Sequence, residues 1–160
     1  MDTPTYKETE CKTRPPCVRG YVEGLPVDMV LDHVYRSVRD QADRRGLTLQ
    51  CEVIAWDPLI VAADQNMLTA AICLVAEYVI ERTEEGAVLL QAFPSHDDIY
   101  VRFEVRNERP ARRHSDRSFD ADQILRSARG KLESIGGQMA SYCTDRGGAR
   151  VSFWLPQWVQ

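Results

Sequence analysis

The chain has 160 residues, of which 44% are hydrophobic and 28% charged, and its formal net charge is −4. This length suffices for one domain with a sizeable core, and the ordinary composition excludes a disordered chain and a strongly basic nucleic-acid-binding one. No run approaches the roughly 20 apolar residues of a membrane span, and the polar N-terminus lacks the apolar stretch of a secretory signal, so we expect a cytoplasmic protein.

The five cysteines form no metal-binding or disulfide pattern. Cys11 and Cys17 have no neighbouring ligands for a zinc set, and no pair is spaced as CxxC. Cys51 and Cys73 fall inside a predicted strand and a predicted helix, where cysteine behaves as a small apolar residue. With Cys143, all five are expected to be reduced thiols.

The N-terminal residues differ in character from the rest of the chain. Residues 1–18 are polar and contain Pro4 and the pair Pro15-Pro16, which predicts a flexible tail. We therefore place a single domain at 19–160. The segment RGYVEGL is compatible with a short edge strand at its start.

A first helix is predicted to open at Pro26, because proline is favoured in the first turn. Its apolar stripe comprises Val27, Val30, Leu31, Val34, Val38 and Ala42. His33 lies beside this stripe and is interpreted as a structural or surface residue. Gly46 ends the helix, and the alternating LTLQCEVI that follows predicts a half-buried strand. After the turn at Asp57-Pro58, LIVAA predicts a short apolar strand.

The stretch at 64–86, DQNMLTAAICLVAEYVIERTEEG, predicts one long helix followed by a turn. Asp64 suits the N-cap, where its charge faces the positive end of the helix dipole. The apolar face comprises Leu68, Ala71, Ile72, Val75, Ala76 and Val79. Elsewhere on the helix, Ala70, Leu74 and Tyr78 offer little chemistry.

The C-terminal half predicts two hairpins around a last helix. AVLLQAF and IYVRFEV are strands joined by a loop, PSHDD, that holds His96, and 107–121 is a long aperiodic loop. The last helix has an apolar face made of Ile124, Leu125, Ala128, Leu132 and Ile135. Gly136-Gly137 ends it, and QMASYC and ARVSFWLP form a closing hairpin. This order predicts a two-layer α/β (α+β) sandwich, in which a mixed, mostly antiparallel sheet is covered on one face by about three helices.

Several scaffold segments resemble those of one family. PVDMVLDHV, ADRRGLTLQ, VAADQNML, ERTEEGAVLL, KLESIGGQM and GGARVSFWLP are similar, in this order, to the segments that build the ATP-binding domain of sensor histidine kinases. This fold, called GHKL or Bergerat, is shared with Hsp90, gyrase and anti-sigma kinases. The resemblance covers about 26–156 and implies the α/β sandwich just described.

The same resemblance locates a nucleotide site whose chemical residues depart from the family pattern. The two asparagines that hold Mg²⁺ on the long helix fall on Leu74 and Tyr78, and neither replaces a side-chain amide as a ligand for a hard cation. In the D-x-G-x-G loop, which contacts adenine, Asn107 stands for the aspartate, and Arg109 and Ala111 stand for the glycines. The phosphate-binding G-x-G loop falls on Asp122 and Ile124. None of His33, His96 and His114 has the H-E-x-x-T-P-like context of a phosphoacceptor.

The resemblance therefore implies a pseudokinase: a non-catalytic regulatory or adaptor domain of two-component or phosphorelay signalling that acts by protein–protein binding. No ATP or Mg²⁺ cofactor and no catalytic residue are then expected. The alternative is an ATP-binding protein kinase domain with an altered nucleotide site, either the catalytic half of a histidine kinase or an anti-sigma-type serine kinase. In that case Glu77 and Glu81 are candidates to approach a metal, against the simpler interpretation that they face solvent.

A basic stretch at 102–131 is the candidate partner surface. It holds nine basic and five acidic residues, a balance of +4 in a chain of net −4. Such a patch attracts an acidic partner, and the expected partners are the carboxylate-bearing receiver domain of a response regulator or a histidine kinase. The candidate contact residues are Arg106, Arg109, Arg112, Arg113 and Trp154. Scattered, solvated charge is the competing interpretation of the patch.

Nucleic acid and membrane are not expected partners, because the overall charge is acidic and few aromatics accompany the basic residues. Alternation in the last strand places Phe153 in the core and Trp154 on the opposite face. If Trp154 and Trp158 are exposed, homodimerisation through the bare sheet face is a further expectation. The competing interpretation is that they cover the end of the sheet or pack on the N-terminal tail.

Overall fold

A computed structural model describes residues 24–95, 99–107, 119–143 and 148–158, with only the backbone at 119–122 and 143. The predicted tail, 1–18, lies outside these ranges. The elements in chain order are β1 (Gly24–Pro26), α1 (Val27–Arg44), β2 (Thr48–Val53), β3 (Ile60–Ala62), α2 (Gln65–Arg82), β4 (Ala87–Ser95), β5 (Tyr100–Asn107), α3 (Phe119–Ser134), β6 (Gln138–Cys143) and β7 (Ala149–Pro156).

Helix α1 forms as its stripe predicts, and all six stripe residues are buried. Pro26 is the N-cap and so precedes the first turn in which it was expected. At the other end, Gly46 has a φ of 73°, and the amide of Leu47 donates to the carbonyl oxygen of Ala42 over 2.9 Å. This left-handed residue turns the chain directly into β2, which therefore runs back beside α1.

Helix α2 is the central helix of the domain. The carboxylate of Asp64 accepts a hydrogen bond from the amide of Met67 over 3.0 Å, which confirms the predicted N-cap. The predicted apolar face is buried, and Tyr78 and Ile80 are buried as well. Burial extends beyond one stripe because α2 contacts both α1 and α3.

The main sheet has five strands in the order β2-β4-β5-β7-β6. Strands β2 and β4 are parallel, and the other three pairs are antiparallel. Three helices and this mixed sheet form the expected two-layer sandwich. Strand β4 continues to Ser95, so it includes the first two residues of the predicted PSHDD loop; His96 lies outside the described residues.

Strand β3, predicted from LIVAA, does not join the main sheet. It pairs with β1 in a separate two-stranded antiparallel sheet, which confirms a strand in the last residues of RGYVEGL. The C-terminus closes over this small sheet, because the amide of Trp158 donates to the carbonyl oxygen of Ile60 over 2.8 Å. A Cβ atom on Gly24 would lie 2.7 Å from the Trp158 ring, so Trp158 packs against β1.

Alternation along the strands separates the two faces of the main sheet. In β5 and β7 the odd-numbered side chains lie in the core, where the rings of Phe103 and Phe153 stack at 5.3 Å. Even-numbered side chains occupy the face that the described helices leave uncovered.

Helix α3 begins at Phe119, inside the predicted 107–121 loop, and Gly136 ends it with a φ of 87°. Within the described ranges, no helix is both long enough and apolar enough to cross a membrane.

Candidate functional site

Leu74 and Tyr78 lie on α2, one turn apart, at the positions that the resemblance assigns to magnesium ligands. Leu74 is partly buried and packs against the hydrophobic core. Tyr78 is only 7% exposed, and the Arg82 guanidinium lies 4.9 Å from the centre of its ring. A cation over an aromatic face is attracted by the ring. Arg82 therefore holds the Tyr78 ring in place near the C-terminal end of α2.

Asn107 ends β5 and joins three elements through its buried side-chain amide. Its Oδ1 accepts from the amide of Ala149 over 3.0 Å, and its Nδ2 donates to Oγ1 of Thr83 over 3.1 Å. Because a backbone N–H can only donate, the atom facing Ala149 is the carbonyl oxygen, which fixes the orientation of the amide. Thr83 is fully buried and donates onward to the carbonyl oxygen of Val79 over 2.7 Å. The residue predicted to contact adenine therefore already bonds to the framework.

Arg45 satisfies the last carbonyl groups at the same end of α2. Its Nη2 lies 3.1 Å from the carbonyl oxygen of Glu81 and 3.0 Å from that of Thr83. A cation is favourable here because the C-terminal end of a helix carries partial negative charge. The end of α2, the end of β5 and the start of β7 thus form one hydrogen-bonded joint, which we call the Asn107 joint (Val79, Thr83, Asn107 and Ala149).

The remaining predicted nucleotide-site positions are only partly described. Arg109 and Ala111 lie outside the described residues, as do Arg112 and Arg113. Asp122 is placed by its backbone inside α3, and Ile124 in the same helix is partly buried against the core. The position that the resemblance assigns to a phosphate-binding loop is therefore helical here.

Glu77 and Glu81, the acids of α2, belong to no group of potential metal ligands among the described residues. Partial burial raises the pKa of the Glu77 carboxyl, and the neighbouring Glu81 carboxylate raises it further. Glu81 itself is exposed. Among the residues that the structure describes, no three His, Cys, Asp or Glu side chains converge in a way that could hold a metal ion.

Three arginines surround one glutamate on the uncovered face of the sheet. Glu104 is 7% exposed, and its carboxylate oxygens lie 3.4 Å from Arg102, 3.3 Å from Arg106 and 3.3 Å from Arg150. Arg106 and Arg150 are paired across β5 and β7, so the strand register brings them to the same carboxylate. Three guanidinium groups against one carboxylate leave this group, the arginine cluster, with a local charge of +2.

Arg102 also lies between two aromatic rings. The register places Phe93 on one neighbouring strand and Trp154 on the other, and its guanidinium carbon is 5.6 Å and 5.2 Å from their ring centres. Its Nη2 also lies 3.1 Å from the hydroxyl oxygen of Ser152. Trp154 is on the uncovered face, as alternation predicted, but it is partly buried because it packs against Arg102. Trp158 is partly buried against β1 of the small sheet.

A groove that the sequence did not predict lies between α1 and β2. It encloses about 580 Å³ and is lined by Asp28, Leu31, Asp32, Tyr35, Leu49, Cys51, Glu52 and Val53. Cys51, expected to be a small apolar residue inside the fold, is exposed. Beyond β2, Trp56 is 100% exposed, although the sequence drew attention to Trp154 and Trp158 instead. The only sequence signal for Trp56 was its place beside the Asp57-Pro58 turn.

Comparison with known proteins relates the architecture to one kind of domain. No protein-family model and no curated protein matches the sequence. Solved structures do match: the nucleotide-free catalytic domain of histidine kinase ThkA aligns with a TM-score of 0.69 at 17% identity, covering 84% of this chain and 95% of that one. The chain has the histidine kinase ATPase fold.

Other solved structures support the same fold. A histidine kinase from Burkholderia phymatum aligns with a TM-score of 0.68 at 20% identity, over 95% of this chain and 76% of that one. Full-length ShkA, in complex with AMPPNP, aligns with a TM-score of 0.67 at 21% identity over 88% of this chain and 32% of ShkA. The expectation of a histidine kinase-like ATPase domain is thus confirmed at the level of the fold.

Proposed function

We propose that this histidine kinase-like domain is a non-catalytic regulatory or adaptor domain of two-component or phosphorelay signalling. The observation that supports this proposal is that Leu74 and Tyr78 occupy the two positions of α2 that the resemblance assigns to magnesium ligands. Leu74 offers no oxygen, and the phenol of Tyr78 is buried under Arg82. Mg²⁺ requires oxygen ligands in near-octahedral geometry, so these side chains do not fit the metal–nucleotide complex that the resemblance implies.

The Asn107 joint supports the same proposal. An adenine amine is a hydrogen-bond donor. The Asn107 oxygen that would accept from it is buried and is held by the amide of Ala149. The amide nitrogen of Asn107 is a donor and bonds to Thr83. This residue therefore serves the connection between α2, β5 and β7.

Calorimetric titration with ATP and ADP, with and without Mg²⁺, tests the proposal. We expect no heat of binding up to millimolar nucleotide. ShkA, whose structure contains AMPPNP, is titrated in parallel to control for nucleotide quality, and a cooperative thermal unfolding curve of this protein controls for its fold.

Micromolar binding would overturn the non-catalytic proposal and favour the alternative, an ATP-binding protein kinase domain with an altered site. ShkA, which shares the fold, is described in complex with AMPPNP, so this alternative has a structural precedent. Magnesium-dependent binding that is lost in Glu77→Gln would further place the metal at the acids of α2.

The arginine cluster supports an acidic protein partner. Its charge of +2 is concentrated on a sheet face that no described helix covers. The Arg106 and Arg150 side chains are partly exposed, so they can make further contacts. We propose that Arg106 and Trp154, together with Arg109, Arg112 and Arg113, contact a receiver domain or a histidine kinase. A second copy of the same face would meet like charge, so a homodimer through this face is the less favourable arrangement.

Binding of purified receiver domains, measured by biolayer interferometry at about 50 and about 300 mM NaCl, tests this partner class. Arg106→Glu is expected to weaken binding about tenfold, and high salt should weaken it further. Arg39→Glu, an exposed charge reversal on α1, is the matched control and should change binding little. Equal effects of the two reversals would contradict the assignment of the arginine cluster.

Sedimentation tests the homodimer. If the sheet face mediates self-association, Trp154→Ala lowers the sedimenting mass while the domain stays folded. An unchanged mass would exclude this face as a dimer interface.

A further inference from the structure

Strand β2 is at the edge of the main sheet that the described strands form. The amides of Thr48 and Ile54 donate to the carbonyl oxygens of Gly86 and Ala92 over 3.0 and 2.8 Å. Backbone groups alternate in direction along a strand, so even-numbered residues of β2 bond to β4, and Leu49, Cys51 and Val53 direct their N–H and C=O groups away from it. Among the described residues, no strand pairs with this second edge.

The side chains of the same three residues are incompletely covered. Their partners on β4, which are Val88, Leu90 and Ala92, are all 0% exposed. On β2, by contrast, Leu49 and Val53 are only partly buried, and Cys51 is exposed. The β4 side chains are thus fully covered, whereas the groove between α1 and β2 stays open. An extended chain lying in that groove would bury these apolar side chains and satisfy the backbone groups at the edge.

The groove selects its occupant by charge. Its lining contains three acids, Asp28, Asp32 and Glu52, and no basic side chain. Asp32 pairs with Arg36 over 3.0 Å on the exposed surface of α1, which leaves the negative charge in excess. A second copy of this chain would bring the same acids to the interface, so like charge opposes edge-to-edge dimerisation. A basic segment has the complementary charge.

Three exposed apolar residues lie on the segments at one end of the groove, outside its lining. Because β2 runs back beside α1, the first turn of α1 and the residues after β2 lie at the same end of this pair. Met29 is 56% exposed, Ile54 46% and Trp56 100%. Large exposed aromatic and aliphatic side chains at the end of a groove are typical anchors for a bound segment.

We infer that β2 and the acidic groove bind an extended, basic segment of another protein, which adds to the sheet as a sixth strand. Backbone hydrogen bonds to Leu49, Cys51 and Val53 hold the segment. Its alternate apolar side chains enter the groove. Its lysine or arginine side chains point to the opposite face, which carries Glu52, and the charges of Asp28 and Asp32 attract them at longer range. This surface shares no residue with the arginine cluster, so the inference stands whether or not the proposed function is correct.

The test uses a fluorescently labelled ten-residue peptide of alternating lysine and valine, and its binding is followed by anisotropy. Cys51→Pro removes one outward-pointing N–H, and the β2–β4 ladder does not use that group, so the fold should persist. We expect this variant to weaken binding by about tenfold or more. Cys51→Ala, the matched control, keeps the N–H and should bind within about twofold of the unchanged protein.

Two further peptides test separately the need for alternation and the need for positive charge. A peptide of the same composition with its lysines and valines in separate blocks, and one with glutamate in place of lysine, should both bind at least about tenfold more weakly. If Cys51→Pro unfolds, an alternating peptide with N-methylated backbone on one edge replaces it and should lose binding to the unchanged protein. Equal binding of the block peptide, equal binding of the two Cys51 variants, or no binding at millimolar alternating peptide would each overturn the inference.

Discussion

The Asn107 joint and the edge strand β2 are built in opposite ways. At the joint, side-chain hydrogen bonds and buried residues connect α2, β5 and β7 where the resemblance places a nucleotide. At β2, outward backbone groups and three partly covered side chains remain open to an occupant. The contrast teaches that one fold can pair its buried polar groups internally at one position and leave backbone groups unpaired among the described residues at another.

The strongest test of the closed region is Asn107→Ala. This change leaves the buried amide of Ala149 without an acceptor and removes the hydrogen bond that the Thr83 hydroxyl accepts, so we expect it to lower the free energy of unfolding by about 3 kcal/mol. Urea unfolding provides the measurement. Asn66→Ala, at an exposed position of α2, is the matched control. A similar loss of unfolding free energy in both variants would mean that the hydrogen bonds of the joint do not stabilise the fold.

The pKa of the Cys51 thiol measures how far the groove shields this side chain from water. Desolvation beside the groove, aided by the negative charge of Asp32, raises the pKa of this thiol to about 11. Since the two factors disfavour the thiolate, its fraction near pH 8 should be about a hundredfold below that of an ordinary thiol. Alkylation by iodoacetamide, followed at this cysteine by mass spectrometry, should keep accelerating toward about pH 11.

Asp32→Asn separates the two causes of that shift. Removing the charge should lower the pKa of the Cys51 thiol only in part, because desolvation is the larger cause. A rate that levels off near pH 9 in the unchanged protein would show that the thiol is fully hydrated and the groove wider than described.

Two leucines on neighbouring strands compare the covered and open sides of the sheet. Leu90 is 0% exposed on β4, and Leu49 is only partly buried on β2. Leu90→Ala should therefore cost about 3 kcal/mol of stability and Leu49→Ala about 1 kcal/mol. Equal losses in chemical denaturation would indicate that the groove is filled in solution.

The smallest expected effect on stability is that of Trp56→Ala. A fully exposed side chain buries nothing against the fold, so the free energy of unfolding should change by less than about 0.5 kcal/mol. Binding of the alternating lysine–valine peptide should nevertheless weaken. Trp158→Ala is the contrasting variant, because Trp158 packs against Gly24 and its loss should lower the melting temperature.

Local signals made most of the fold predictable. The stripe of α1, the Asp64 cap of α2, the turn at Gly46 and the alternation around Phe153 were read correctly, because each depends on residues within a few positions of one another. The family resemblance then assembled these elements into the sandwich that the structure confirms. The sequence also marked Leu74, Tyr78 and Asn107 as departures from the pattern.

The tertiary structure alone decided which strands pair and which surfaces stay open. Neither the separation of β3 from the main sheet nor the parallel pairing of β2 with β4 has a local signature, because partners distant in sequence compete for each edge. The two partners of Asn107, the three arginines on Glu104 and the exposure of Trp56 follow from those pairings. Periodicity and capping are written in neighbouring residues, whereas burial and electrostatic contact depend on which distant segments the folded chain brings together.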